Sequence, residues 1–119
     1  MLINEYFNTD EFKCKCGCDE VIVNQKLVKA LTDVREYFKK PVIITSGFRC
    51  EGHNNKVGGS KKSKHILGAA ADFKVKDVHA DEIADYLLEK YPDTYGIGRY
   101  KVRTHLDVRM QKARWDKRK

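Results

Sequence analysis

The chain has 119 residues, enough to bury one real core and too few for two, so a single domain spanning 1–119 is expected. A formal net charge of +7 predicts attraction to polyanions, yet no helix-turn-helix, zinc-finger or RNA-binding signature accompanies it, so specific nucleic-acid binding is not expected. No apolar run approaches a membrane span, and Met1-Leu2-Ile3-Asn4-Glu5-Tyr6 lacks the zones of a signal peptide; the expectation is a monomer made in the cytoplasm, with no membrane partner.

Residues 1–19 read as an irregular segment that wraps the surface and is anchored by Tyr6, Phe7 and Phe12. Cys14, Cys16 and Cys18 alternate within it, and Cys50 follows Arg49 much later. The spacing is not the Cys-x-x-Cys of a metal knuckle, and three readings stay open: ordinary buried or loop thiols, a structural metal, and a disulfide to Cys50. Asn24 reads as a helix N-cap, and Leu27, Ala30, Leu31, Val34, Tyr37 and Phe38 then recur at the spacing of one apolar helical face, which Pro41 ends. Val42-Ile43-Ile44-Thr45 is β-branched and short, a buried strand running into a Ser46-Gly47 turn.

Residues 50–64 are rich in Gly, Asn, Lys and Ser and predict a long loop of the functional kind. A strand over 69–75 follows, then an amphipathic helix over 80–91 with Ile83, Ala84, Leu87 and Leu88 inward, stopped by Pro92. Short strands over 96–100 and 104–108 are joined by the basic turn Lys101-Val102-Arg103. This order predicts an α+β fold, a small mixed or antiparallel sheet with helices packed on one side. The basic stretch 109–119 reads as solvated and frayed in its last few residues.

Chemistry concentrates in Ser63-Lys64-His65-Ile66-Leu67-Gly68-Ala69-Ala70-Ala71-Asp72 and in His105-Leu106-Asp107-Val108-Arg109. Small residues after His65 allow a tight turn into a strand whose backbone can approach a metal. Side chains alternate along a strand, so Asp72 opposes Phe73 and Val75, while His105, Asp107 and Arg109 share one polar face and Leu106 and Val108 the other. His65, Asp72 and His105 then form a three-ligand N/O set, the pattern of a catalytic zinc (Zn2+) with an open fourth position.

The run Ser-x-His-x-x-Gly-x-Ala-x-Asp with a late His resembles the D-alanyl-D-alanine carboxypeptidase family of zinc peptidases, which includes phage and bacterial peptidoglycan-cleaving enzymes. The likeness extends through Ile44-Thr45-Ser46-Gly47-Phe48-Arg49-Cys50, residues His53 to Ser60, Gly96 to Tyr100 and Arg114-Trp115, and so spans nearly the whole chain. The resemblance implies an α+β architecture, which the amino-terminal domain of Hedgehog signalling proteins shares. It also implies a role for Arg49 in binding a substrate carboxylate or stabilising an oxyanion, a task suited to a planar fork that keeps its charge. A surface salt bridge is the structural alternative.

Many relatives carry a Glu or Asp a few residues before the last zinc histidine, but 96–104 contains no acid here. Asp107 is the local candidate for the general base, with a supporting role behind an imidazole as its alternative. His53 is a second candidate proton carrier or substrate contact, and Ser63 a candidate substrate contact or turn residue. The resulting expectation is zinc-dependent hydrolysis of peptide bonds in the stem or cross-links of peptidoglycan, by an endolysin-like enzyme that reaches the wall after release from the cytoplasm. Removal of terminal D-alanine is the alternative within enzymes. A non-catalytic zinc module that recognises wall peptide or a protein partner is the alternative outside them.

Overall fold

The computed structural model describes residues 2–18, 20–59 and 63–118. Met1 and Asp19 of the expected irregular opening, Ser60, Lys61 and Lys62 of the expected loop, and Lys119 of the basic tail lie outside the described residues. Among the described residues a 3-10 turn at Thr9–Phe12 precedes α1 (Gln25–Phe38), β1 (Val42–Ser46), α2 (Glu51–Lys56), β2 (Ala70–Val75), α3 (Ala80–Lys90), β3 (Gly96–Arg99), β4 (Thr104–Asp107) and β5 (Ala113–Asp116). No helix among them is long and apolar enough to cross a membrane.

The strands form one sheet in the order β1-β2-β4-β3-β5, antiparallel throughout except for the parallel β3–β5 pair. The fold is therefore α+β with a mixed sheet, as the element order predicts. Alternation along the strands sends Val42 and Ile44 of β1, Ala71, Phe73 and Val75 of β2, Leu106 of β4 and Ile97 of β3 into the core. Leu27, Leu31 and Val34 of α1 and Ile83 and Leu87 of α3 pack on the same core, so these two helices share one side of the sheet. Phe7 and Phe12 close its edge and anchor the opening segment.

Asn24 caps α1, its side chain accepting from the Lys26 N–H at 2.8 Å, and Lys39 ends the helix in the left-handed conformation two residues before Pro41. Asn24→Ala should lower stability by about 1 kcal/mol, the ordinary cost of losing such a cap, read as a shifted denaturant midpoint with an unchanged slope.

The fold departs from the sequence expectations in four places. The expected loop contains α2, because the Cys50 side chain caps it by accepting from His53 N–H and Asn54 is wholly buried beneath it. Residues 113–116, for which the basic stretch predicts no element, form β5, whose backbone pairs with β3 from Gly96 to Arg99. Tyr37, placed on the apolar face of α1 by its spacing, is 62% exposed and stacks instead on Tyr86 of α3 at 4.2 Å between ring centres. Ile43 of the expected buried strand is half exposed, since only one face of β1 meets the core.

Candidate metal centre and cleft

The face of the sheet away from α1 and α3 carries a polar row. Register places Ser46 opposite Asp72, Asp72 opposite His105, His105 opposite Gly98, and Gly98 opposite Trp115, one residue from each of the five strands. Directly paired positions share a face, so strand pairing itself brings Asp72 and His105 together. Gly98 is required by what lies over it: a Cβ there would meet Trp115 Nε1 at 2.3 Å. The space it leaves lets the indole approach the His105 ring, 4.9 Å between centres. In the next row Asp107 faces Gly96, where a Cβ would fall 2.4 Å from Asp107 Oδ2.

His65 reaches this row from the turn before β2. Its segment is tied to the strand-end loop by the Arg49 N–H donating to His65 O at 3.1 Å, and its own N–H donates to Ser63 Oγ at 3.2 Å. His65 Nδ1 lies 2.7 Å from Gly47 O. A carbonyl only accepts, so Nδ1 carries a proton, and Nε2 faces Asp72 Oδ2, 3.6 Å away.

His105 is arranged with the opposite handedness. Nε2 donates to Asp107 Oδ2 at 2.9 Å, while Nδ1 points to Asp72 Oδ1 at 2.8 Å. Burial opposes a charge on His105, but its bonds to Asp107 and Asp72 outweigh that penalty and raise its pKa above the ordinary imidazole value. Burial likewise opposes ionisation of Asp72, yet His105 and His65 beside it hold its carboxyl well below the usual carboxylate range. Asp107 behaves the same way, with His105 and then Arg109 overcoming the burial penalty. Arg109 grips it with two bonds of 2.7 Å.

Both imidazoles thus have their outer nitrogen fixed by a protein acceptor and their other nitrogen turned toward Asp72. The ligating atoms of His65, Asp72 and His105 all lie within 4.8 Å of one another, and all three residues are buried. This N/O/N set can hold a metal ion, and the fixed outer nitrogens are the kind of support that orients imidazole ligands.

A cleft of about 540 Å³ opens over the row, lined by Arg49, Ser63, Lys64, Arg103, Tyr100 and Trp115 among others. Arg49 is not a surface ion pair. Its side chain is only 15% exposed, with Nε donating to Ser46 Oγ at 3.2 Å, Nη1 to Asn54 Oδ1 at 3.2 Å, and Nη2 3.5 Å from Asp72 Oδ2. Ser63 lines the cleft, whereas His53 sits on α2 outside it, its backbone N–H on Cys50 Sγ. Asp107 is completely buried on the far edge of the His105 ring from Asp72.

Arg103, read in the sequence only as part of a basic turn, enters the cleft over the Tyr100 ring, 3.9 Å from its centre. Its Nε is buried, makes no hydrogen bond and lies 4.0 Å from Asp72 Oδ2. Trp115 completes the wall by donating from Nε1 to Tyr100 Oη at 3.0 Å. Its place two residues before His105 is the sequence signal that points to Arg103, but its direction depends on the turn geometry. A second depression of about 640 Å³, between α1 and α3, is lined by Tyr37, Phe38, Tyr86 and acidic residues and contains neither of the groups able to hold a metal among the described residues.

A match to a peptidase family supports a metallopeptidase, with which the fold is compatible. A family model described as Peptidase M15 matches residues 5–107, and the chain belongs to that family, whose members are zinc-dependent. The match takes in Arg49, Ser63, His65, Asp72, His105 and Asp107, while Arg109 and Trp115 lie beyond it. No curated protein matches the chain closely enough to be counted a relative.

Proposed function

We propose that this metallopeptidase uses zinc to hydrolyse peptide bonds in the stem or cross-links of peptidoglycan. The observation that carries the reading is the pair of oppositely handed histidines, each with its outer nitrogen held by Gly47 O or Asp107 and its inner one turned on Asp72. His65 Nε2, Asp72 and His105 Nδ1 would hold the ion. Zinc, when bound there, supplies Lewis-acid polarisation of a scissile carbonyl and a water acidified toward neutral pH.

The chain's own residues select and orient the substrate. Arg49, Lys64, Arg103, Arg109 and Lys117 line the cleft against one carboxylate, Asp72, so it favours an acidic peptide. Wall stem peptides meet that requirement with their terminal and side-chain carboxylates. Arg103, whose Nε is buried without a hydrogen bond, offers a donor for such a group, and the flat Tyr100–Trp115 wall bounds the site beside it. Asp107 positions His105 and is no proton carrier, because Nε2 of the ring and both arms of Arg109 occupy its oxygens.

Arg49→Lys should keep fold and metal while lowering kcat on the order of a hundredfold, since one ammonium cannot hold Ser46 and Asn54 and still present a donor to an oxyanion. A loss confined to KM would assign Arg49 to a substrate carboxylate instead. Wild-type kinetics would return it to a structural pairing.

Among the described residues no carboxylate besides Asp72 lines the cleft, and this favours a second reading, a zinc module that binds wall peptide without cutting it. Incubation with purified peptidoglycan, with and without chelator, separates the readings when released products are identified by mass spectrometry. Chelator-sensitive opening of cross-links or stems supports the proposal. Release of D-alanine alone makes the protein a carboxypeptidase, and absence of any product from fully metal-loaded protein leaves the binding module.

A further inference from the structure

Cys14, Cys16, Cys18 and Cys50 form a second cluster, assembled from the turn after the 3-10 helix and from the N-cap of α2. All four thiols are free, and their sulfurs lie within 4.8 Å of one another. Cys14 Sγ is 3.4 Å from Cys16 Sγ and 3.6 Å from Cys50 Sγ, and Cys16 and Cys50 are also 3.6 Å apart. Four sulfurs bonded at about 2.3 Å to one tetrahedral zinc stand about 3.8 Å from each other. A disulfide would instead draw one pair to about 2.0 Å and leave the rest apart.

The surroundings suit thiolates. The Cys50 N–H points at Cys14 Sγ and the His53 N–H at Cys50 Sγ, both at 3.4 Å. Cys14 N–H donates to Glu20 O at 3.1 Å, closing the turn that carries three of the cysteines, and Phe48 N–H donates to Phe12 O at 2.8 Å, holding the two segments side by side. Cys16 and Cys18 are exposed, so as free thiols they would be open to oxidation.

We infer that Cys14, Cys16, Cys18 and Cys50 bind a second, structural zinc ion in a closed tetrathiolate site. Each thiol gives its proton to solvent on binding, so the centre forms with loss of four protons and carries two net negative charges. Its place in the fold gives it a task. Cys50 directly follows Arg49, and α2, which it caps, supplies Asn54 to the Arg49 guanidinium, so the ion fastens the opening segment to the loop that aims Arg49 into the cleft. The inference is independent of the peptidase reading.

The test is made on full-length protein purified under reducing conditions with zinc. Two equivalents of zinc are expected for the wild type, one for His105→Ala, one for Cys16→Ser/Cys18→Ser, and none for the combined variant. Cobalt-loaded His105→Ala should show thiolate-to-cobalt charge-transfer absorption, and the cysteine variant should lack it. In the wild type the four thiols should resist alkylation until a chelator is added, a readout that needs no variant to fold. Free alkylation of all four thiols in zinc-replete protein, or a mass showing disulfides in the same preparation, would overturn the inference. So would His105→Ala protein that is folded and free of zinc.

Discussion

Replacing His105 with Ala should remove the ion from the cleft and nearly all hydrolysis, while the helices persist. The ring has two tasks, and both end with it. Nδ1 is lost from the three-ligand set, and Asp72 and Asp107, which it bridges at 2.8 and 2.9 Å, are left facing each other's charge. Removing one partner from a buried ionic group costs about 3–5 kcal/mol, so the denaturation midpoint should fall as well. Arg49 and His65 beside Asp72, and Arg109 on Asp107, keep that loss from being fatal to the fold.

His65→Ala separates ligation from stability. That ring holds only Gly47 O on its outer side, so its removal should take the metal at a smaller cost to the fold. Elemental analysis of both variants decides the matter, each expected to carry one zinc fewer than the wild type. Undiminished zinc in both would sink the assignment. To become a ligand His105 must also give up its Nδ1 proton, which Asp72 and Asp107 hold more firmly than an ordinary imidazole would, so metal uptake should weaken as pH falls.

The polar row was legible because strands alternate with period two. Asp72 against Phe73, and His105 and Asp107 against Leu106, state the two faces in sequence, and strand pairing then needs only the correct register. Asn24 and the spacing from Leu27 to Val34 made α1 equally readable. What escaped were features that depend on partners distant in sequence. Ala113-Arg114-Trp115-Asp116 alternates for only four residues inside a strongly basic stretch, and becomes a strand because β3 offers its free edge and Gly98 makes room for Trp115.

Residues 51–56 read as loop from their Gly and Asn content, yet Asn54 is buried against Arg49, a contact that composition does not express. The cysteines show the same limit. Alternate positions 14, 16 and 18 have no familiar metal spacing, and only the fold brings Cys50 to complete the set. Gly96 and Gly98 looked like ordinary strand residues. Each is glycine because a site side chain, Asp107 or Trp115, lies where its Cβ would be.

Asp107→Asn should lower zinc affinity at the cleft by about ten- to a hundredfold while leaving turnover at saturating zinc near the wild-type value. The substitution keeps nearly the same shape, fits beneath Gly96, and retains an oxygen able to accept from His105 Nε2. It removes the charge that favours a strongly basic Nδ1 on the opposite edge of the ring, and it places an amide N–H₂ where Arg109 expects a second acceptor. A general base would give the reverse result, with zinc affinity intact and kcat reduced by roughly a hundredfold or more even at full occupancy. Zinc titration and steady-state kinetics on the same preparation therefore distinguish the roles. Full affinity with lost turnover would make Asp107 the proton acceptor after all, and would require its carboxylate, buried behind the ring and held by Arg109, to reach the cleft by a rearrangement of β4.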